Sequence, residues 1–118
     1  MEARAVSRFQ RGSAKKLRLV CELIRGKDVP TALRTLIYLP KPTKAPVLKT
    51  LRSAVANAVS MAGKAKLREE DLVVTDVRAD QGPVMKRWQP GPRGMATIIR
   101  KRSVHVTVSV ATRKGVKV

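Results

Sequence analysis

Four valines, Val104, Val106, Val108 and Val110, alternate with His105, Thr107 and Ser109, the period of two expected of a strand with one buried face. Three helical stripes precede it. Leu17, Val20, Cys21 and Ile24 recur at i, i+3, i+4 and i+7 within Ala14–Arg25, with Ser13 as N-cap and Gly26 as the left-handed residue that ends the helix. Asp28 caps a second helix that tolerates Pro30 in its first turn and presents Ala32, Leu33, Leu36 and Ile37 as its core face until Pro40 stops it. Lys41 and Pro42 form a short basic linker. Thr43 opens a third helix, with Pro46 in its first turn and Val47, Leu51, Ala54, Val55, Ala58 and Met61 in one stripe up to Gly63. Its alanines, Ala54, Ala56, Ala58 and Ala62, predict close approach to another element, and its roughly 20 residues are too polar to span a membrane.

Ala3–Arg11 reads as a strand studded with Arg4, Arg8 and Arg11, and Leu72–Ala79 as another. Gly63–Asp71 is a polar connection, and Thr112–Val118 a basic tail that frays. The order strand, three helices, long hairpin predicts an α+β fold. Three helices pack on a small antiparallel three-stranded sheet, and a long β-hairpin protrudes from it, the whole forming one domain over residues 1–118.

The hairpin occupies about residues 82–103. Gly82 and Pro83 mark the kink where it leaves the domain, and Pro90, Gly91, Pro92 and Gly94 break it at the tip. With a tip near Pro92, each side runs about 12 residues from Asp80 or Val104, on the order of 40 Å. A compact domain of this size has a radius of gyration of only about 13 Å, so the distal part projects beyond the core. An isolated two-stranded ribbon is marginal in water, and this one carries Lys86, Arg87, Arg93, Arg100, Lys101 and Arg102 with no carboxylate. Its order calls for an external polyanion.

Composition sharpens that reading. The formal net charge is +18, and none of the 8 acidic residues lies after Asp80, whereas 9 of the 26 basic ones do. Nucleic acid is the first partner such a balance implies, an acidic membrane surface the second. The membrane is disfavoured because the helices keep their apolar faces for one another. Lys15, Lys16 and Arg18 fall in the first turns of their helix, where cations oppose the dipole, which points to an anion that also uses the free amides there. The aromatic content is 3%, so the core is aliphatic. A lone Cys21 excludes an internal disulfide framework and suits a reducing compartment; one Cys and one His make no metal site. Glu2 and Arg4 stand where a signal peptide would need apolar residues, so the protein is expected to stay in the compartment where it is made.

Catalysis finds no footing. His105 lacks a second histidine or nearby acid to complete an acid-base pair, and an RNA or side-chain hydrogen bond suits it better. Glu69, Glu70 and Asp71 have no ligand-type spacing, and no phosphate-cradling loop or nucleophile elbow is present. Trp88, flanked by Met85 and Met95 near the exposed tip, is placed to stack on a base or pack on a neighbouring protein. No cofactor is implied.

Four colinear blocks carry a resemblance: RFQRGSAKKLRLVCELIRGKDVPTAL (Arg8 to Leu33), KAPVLKTLRSAVANA (Lys44 to Ala58), DVRADQGPVMKR (Asp76 to Arg87) and IIRKRSVHVTV (Ile98 to Val108). Together they resemble the bacterial-type large-subunit ribosomal protein family conventionally numbered twenty-two. The resemblance implies a structural, non-enzymatic protein that binds large-subunit ribosomal RNA and takes part in early subunit assembly. Its compact part would lie near the exit of the nascent-peptide tunnel, with the hairpin lining the tunnel wall. Neighbouring large-subunit proteins and the nascent polypeptide are the further implied partners; no homo-oligomer is. The implied location is a cytoplasmic ribosome, with an organellar one left open.

Carried over position by position, the family's RNA-facing residues fall on Arg8, Arg11, Lys15, Lys16, Arg18, Arg25, Lys27, Lys86, Arg87, Arg93, Arg100, Lys101, Arg102 and His105; Arg4 and Trp88 join them on the reading of the residues above. The tip, Gln89 to Met95, departs from the family's pattern. Where the family commonly reads Pro-Arg-Ala-Arg-Gly-Arg-Ala, this chain has Pro90, Gly91, Pro92, Arg93, Gly94, Met95 and Ala96. Arg93 is then the one charged anchor at the turn, and a weaker phosphate grip is expected there, with Trp88 and Met95 supplying apolar contact. The rival from another class is an architectural DNA-binding protein that lays a basic β-arm along a groove.

Overall fold

The valine-rich strand is the one on which the sheet is built. A computed structural model describes residues 2–62 and 69–112 and places this strand, β5 (Ser103–Thr112), between β1 (Glu2–Arg11) and β2 (Leu72–Gln81), antiparallel to both. Val104, Val106, Val108 and Val110 are all fully buried, because the face they share is covered by the helices. α1 (Ala14–Ile24) packs on β2, α3 (Lys44–Ala62) on β1 and β5, and α2 (Val29–Tyr38) fills the space between them. The chain then leaves the sheet through β3 (Met85–Pro90) and returns through β4 (Ala96–Lys101), which pair only with each other.

Local chemistry differs from expectation at several points. Ser13 and Asp28 occupy the two N-cap positions with extended backbone, yet neither side chain caps its helix; Asp28 Oδ2 instead accepts from Thr31 Oγ1 at 3.2 Å. Gly26 takes the left-handed conformation (φ 81°), and its N–H donates to Val74 O while Val74 N–H donates to Lys27 O. The link between α1 and α2 thereby covers part of the free edge of β2, a surface that would otherwise invite pairing. Ile37 and Met61, both expected in the core, are 47% and 65% exposed. In α2 the buried line runs through Val29, Ala32 and Leu36, leaving Ile37 beside it, and the last turn of α3 extends past the face that buries Ala58. Ala54 and Ala58 do lie in the packed face, whereas Ala56 is exposed. Most of the expected Gly63–Asp71 connection and the tail beyond Thr112 lie outside the described residues. Among the described helices, none is long and apolar enough to cross a membrane.

Polar atoms inside this layer are matched. Thr50, buried in α3, donates its hydroxyl to Pro46 O at 2.7 Å and lies 2.8 Å from Ser7 Oγ on β1. Cys21 is buried in α1, and that burial pushes its thiol from the ordinary value of 9.0 up to about 11, against the opposing pull of Arg25 and Arg18. The folded state therefore favours the protonated thiol, so its contribution to stability is whole below about pH 9 and is lost as the pH climbs towards about 11. In urea titrations across that window, wild-type protein should lose stability relative to Cys21→Ala; a difference that stays flat with pH would show the thiol to be accessible to water.

Candidate nucleic-acid interface

The arm is built as a ladder of six pairs, from Met85 opposite Lys101 to Pro90 opposite Ala96. Every residue of both strands is exposed. The molecule measures 67 × 25 × 15 Å with a radius of gyration of 17.7 Å, well above the roughly 13.5 Å of a compact chain this long, which is the signature of the projecting ribbon. Lys86 stands directly opposite Arg100, a like-charge pair that weakens the ribbon, and Trp88 opposite Ile98 forms the next rung on the same face. On the other face each rung, Met85 opposite Lys101 and Arg87 opposite Ile99, instead pairs one cation with one apolar side chain. Trp88 and Met95 are 69% and 71% exposed, so within the chain itself they make little contact.

At the tip, Pro92–Gly94 makes a single tight turn in which Arg93 (φ 58°) and Gly94 (φ 71°) are both left-handed. Gly91 N–H donates to Met95 O, and a side chain at Gly91 would begin 2.7 Å from that oxygen and from Thr97 Oγ1. The turn is thus as narrow as it is because residue 91 is a glycine. Arg93 is aimed from the apex by a backbone conformation that a non-glycine residue seldom adopts.

Where the arm joins the sheet, Gly82 N–H donates to Ser103 O at 2.9 Å and Ser103 Oγ–H to Pro83 O at 2.6 Å. A Cβ on Gly82 would fall 2.6 Å from Ser103 Oγ and 3.2 Å from His105 Nε2, so this close approach requires glycine. His105 Nδ1 accepts the backbone N–H of Phe9 at 3.0 Å, and the two rings meet edge to face with centroids 4.9 Å apart. That hydrogen bond calls for the neutral imidazole with its proton on Nε2. His105 is therefore a clasp between β1 and β5.

The other cations expected at the site fall into four sets. Lys15 and Lys16 are exposed in the first turn of α1, and Lys15, Arg18 and Arg102 line one hollow together with Ser13, Gln81 and Ser103. The first intrahelical bond is Leu17 N–H to Ser13 O, so the amides before it point out of the helix end. Arg18 and Arg25 are partly committed to the fold: Arg18 Nε–H donates to Ala79 O at 3.1 Å, and an Arg25 Nη2–H to Val77 O at 2.6 Å, pinning α1 to β2. Arg4 and Arg8 flank the open face of the sheet, where Asp76 and Asp80 also lie and Arg78 pairs with Asp76 at 2.6 Å. This face is mixed in sign, unlike the arm. Lys27 stands exposed at the link between α1 and α2, and Arg11 at the end of β1. The structure adds Phe9, Arg78 and Ser103 to the residues expected at the site. Arg78 was readable as a basic residue in a strand, but nothing in the sequence marks Phe9 as the centre of a bulge.

A family model described as ribosomal protein L22p/L17e matches residues 5–111 of the chain. The chain is 45% identical over 113 residues to the large ribosomal subunit protein uL22 of Chloroflexus aggregans, covering 96% of this chain and 97% of that protein. Its identity to the protein of the same name from Carboxydothermus hydrogenoformans is 46% over 114 residues, 97% and 98% of the two chains. With that of Nostoc sp. it is 46% over 116 residues, 98% and 95%.

The two uses of the basic residues predict opposite effects. Replacing Lys15 and Lys16 together by glutamate should raise the stability of the free protein by about 0.5–1 kcal/mol, because acids suit a helix N-terminus, while weakening nucleic-acid binding. Arg25→Met should instead cost about 1 kcal/mol, since Val77 O loses its donor at a partly exposed site. Urea denaturation of the three proteins reads both signs; stability lost by the double lysine variant would show those cations to be held by the fold.

Proposed function

The chain belongs to the ribosomal protein L22p/L17e family, and from that premise we propose how its geometry works. It is a structural, non-enzymatic constituent of the large ribosomal subunit, at work in the cytoplasm. In this reading residues 1–118 act as one domain that binds large-subunit ribosomal RNA, and the arm, about residues 82–103, bridges RNA segments that repel one another unless cations lie between them. The observation that carries the reading is the arm itself: six cations, no carboxylate, and two strands in which every residue is exposed. Neutralisation has to come from outside.

Division of labour follows from the geometry. Lys15, Lys16 and Arg102 around the start of α1, with Arg11 and Lys27, fix the globular part on RNA backbone. Lys86, Arg87, Arg100 and Lys101 then grip along the arm. Arg18 and Arg25 hold α1 in place while exposing their outer faces, so they position the site as well as adding charge. At the apex, Arg93 is the one cation within the turn, while Trp88 and Met95 offer apolar contact, so the tip lines the nascent-peptide tunnel with a lighter phosphate grip than two further arginines would give. Ile37, Tyr38 and Met61 are exposed on the helices and would offer apolar surface to neighbouring large-subunit proteins. Early binding would let the arm organise RNA during subunit assembly.

Equilibrium binding to large-subunit ribosomal RNA, with duplex DNA as competitor, tests this. The logarithm of affinity should fall linearly with the logarithm of salt, with a slope of about −0.7 to −0.9 per neutralised phosphate. Deleting residues 85–98 should flatten that slope by several phosphates and leave a preference for RNA in the globular part. Equal affinity for duplex DNA would instead favour an architectural DNA-binding protein.

A further inference from the structure

The root of the arm holds an arrangement that phosphate binding alone does not explain. β1 is bulged between Ser7 and Gln10, and inside the bulge Phe9 adopts a left-handed backbone (φ 58°), rare for so bulky a residue. The conformation is held by the Phe9 N–H bond to His105 Nδ1 and by the edge-to-face contact with the imidazole. Its result is to keep the phenyl ring out of the core, 65% exposed, in a chain that has only three aromatic residues. A strained backbone that presents an apolar ring to solvent weakens the free protein, so a ligand is the natural reason for it.

Beside the ring, between β1 and the start of the arm, runs a groove with an apolar floor of Phe9, Pro83 and Met85 and a rim of Arg11, Lys101 and Arg102. Among the described residues no carboxylate lines it. We propose that this groove holds one unstacked base of an RNA strand, laid against the Phe9 ring, with the flanking phosphates on Arg11, Lys101 and Arg102. Charge complementarity selects the occupant. An apolar protein side chain would fill the floor but leave three cations crowded together, whereas a nucleotide supplies a flat apolar plane and its own anions at once. Met85 is the adaptable part of the floor, and Pro83, whose carbonyl accepts from Ser103 Oγ–H, the fixed part. The inference rests on the ribosomal RNA-binding reading above and names one contact within it.

The test uses the full chain and transcribed large-subunit ribosomal RNA, with affinity measured over a series of salt concentrations. Phe9→Ala should weaken binding by about 5- to 100-fold, the range that stacking one base on an aromatic ring supplies, and by the same factor at every salt concentration. Arg11→Gln and Lys101→Gln should each flatten the salt slope by about 0.7 to 0.9 instead. Phe9→Trp should bind like wild type, and Phe9→Leu, which keeps an apolar side chain without a ring, should lose most of what Phe9→Ala loses. Ultraviolet crosslinking of the wild-type protein to the same RNA should give a nucleotide adduct at Phe9, a readout that needs no variant to fold. The proposal is overturned if Phe9→Ala or Phe9→Leu binds as tightly as wild type, or if adducts form along the arm but none at Phe9. Failure of the wild-type chain to bind the RNA at all would overturn the broader reading rather than this contact.

Discussion

Positive charge that the chain cannot neutralise for itself is the constraint on which the rest of this structure depends. No acidic residue lies beyond Asp80, and in the paired ribbon Lys86 is set directly against Arg100. At low ionic strength such a ribbon works against its own pairing, and it buries no side chain in compensation. The globular part answers this by supplying a rigid base. β5 runs from the packed sheet straight into the returning strand, with its valines fully buried, so the arm is an extension of the best-anchored strand in the molecule. The packed core lies at one end, and at the other lies charge with no carboxylate beside it.

The junction between the two is correspondingly specific. Gly82 lets the outgoing strand pass within contact distance of Ser103 and His105, and Ser103 returns a hydrogen bond to Pro83. His105 in turn holds the Phe9 bulge. These few contacts set the direction in which the arm leaves, and a small change in that direction is multiplied along a molecule 67 Å long. If the arm threads between RNA segments as proposed, the angle at the root matters as much as the charge along the shaft.

Much of this was legible in the sequence, and the failures have physical causes. The alternating valines and the Leu17, Val20, Cys21, Ile24 stripe were readable because each lies on a face that is buried along its whole length. Ile37 and Met61 were misplaced because periodicity reports the angle around a helix and says nothing about where the supporting surface ends. The charge of the arm was plain, since a run of 38 residues without an acid needs no structure to be noticed. By contrast, the double role of Arg18 and Arg25 depends on the carbonyls of Ala79 and Val77, more than fifty residues away, and local spacing carries no trace of them. The bulge at Phe9 was equally hidden, because Arg8, Phe9 and Gln10 read as an uninterrupted strand until the register with β5 is known.

If an outside polyanion is what orders the arm, the amides of Met85–Lys101 should report it directly. Hydrogen exchange of the full chain, alone and bound to large-subunit ribosomal RNA, separates the ribbon from the sheet residue by residue. The account predicts rapid exchange along the arm of the free protein beside strong protection in β5, and marked slowing along the arm when RNA is bound. Arm amides protected as well as those of Val106 and Val108 in the free protein, and unchanged by RNA, would contradict it.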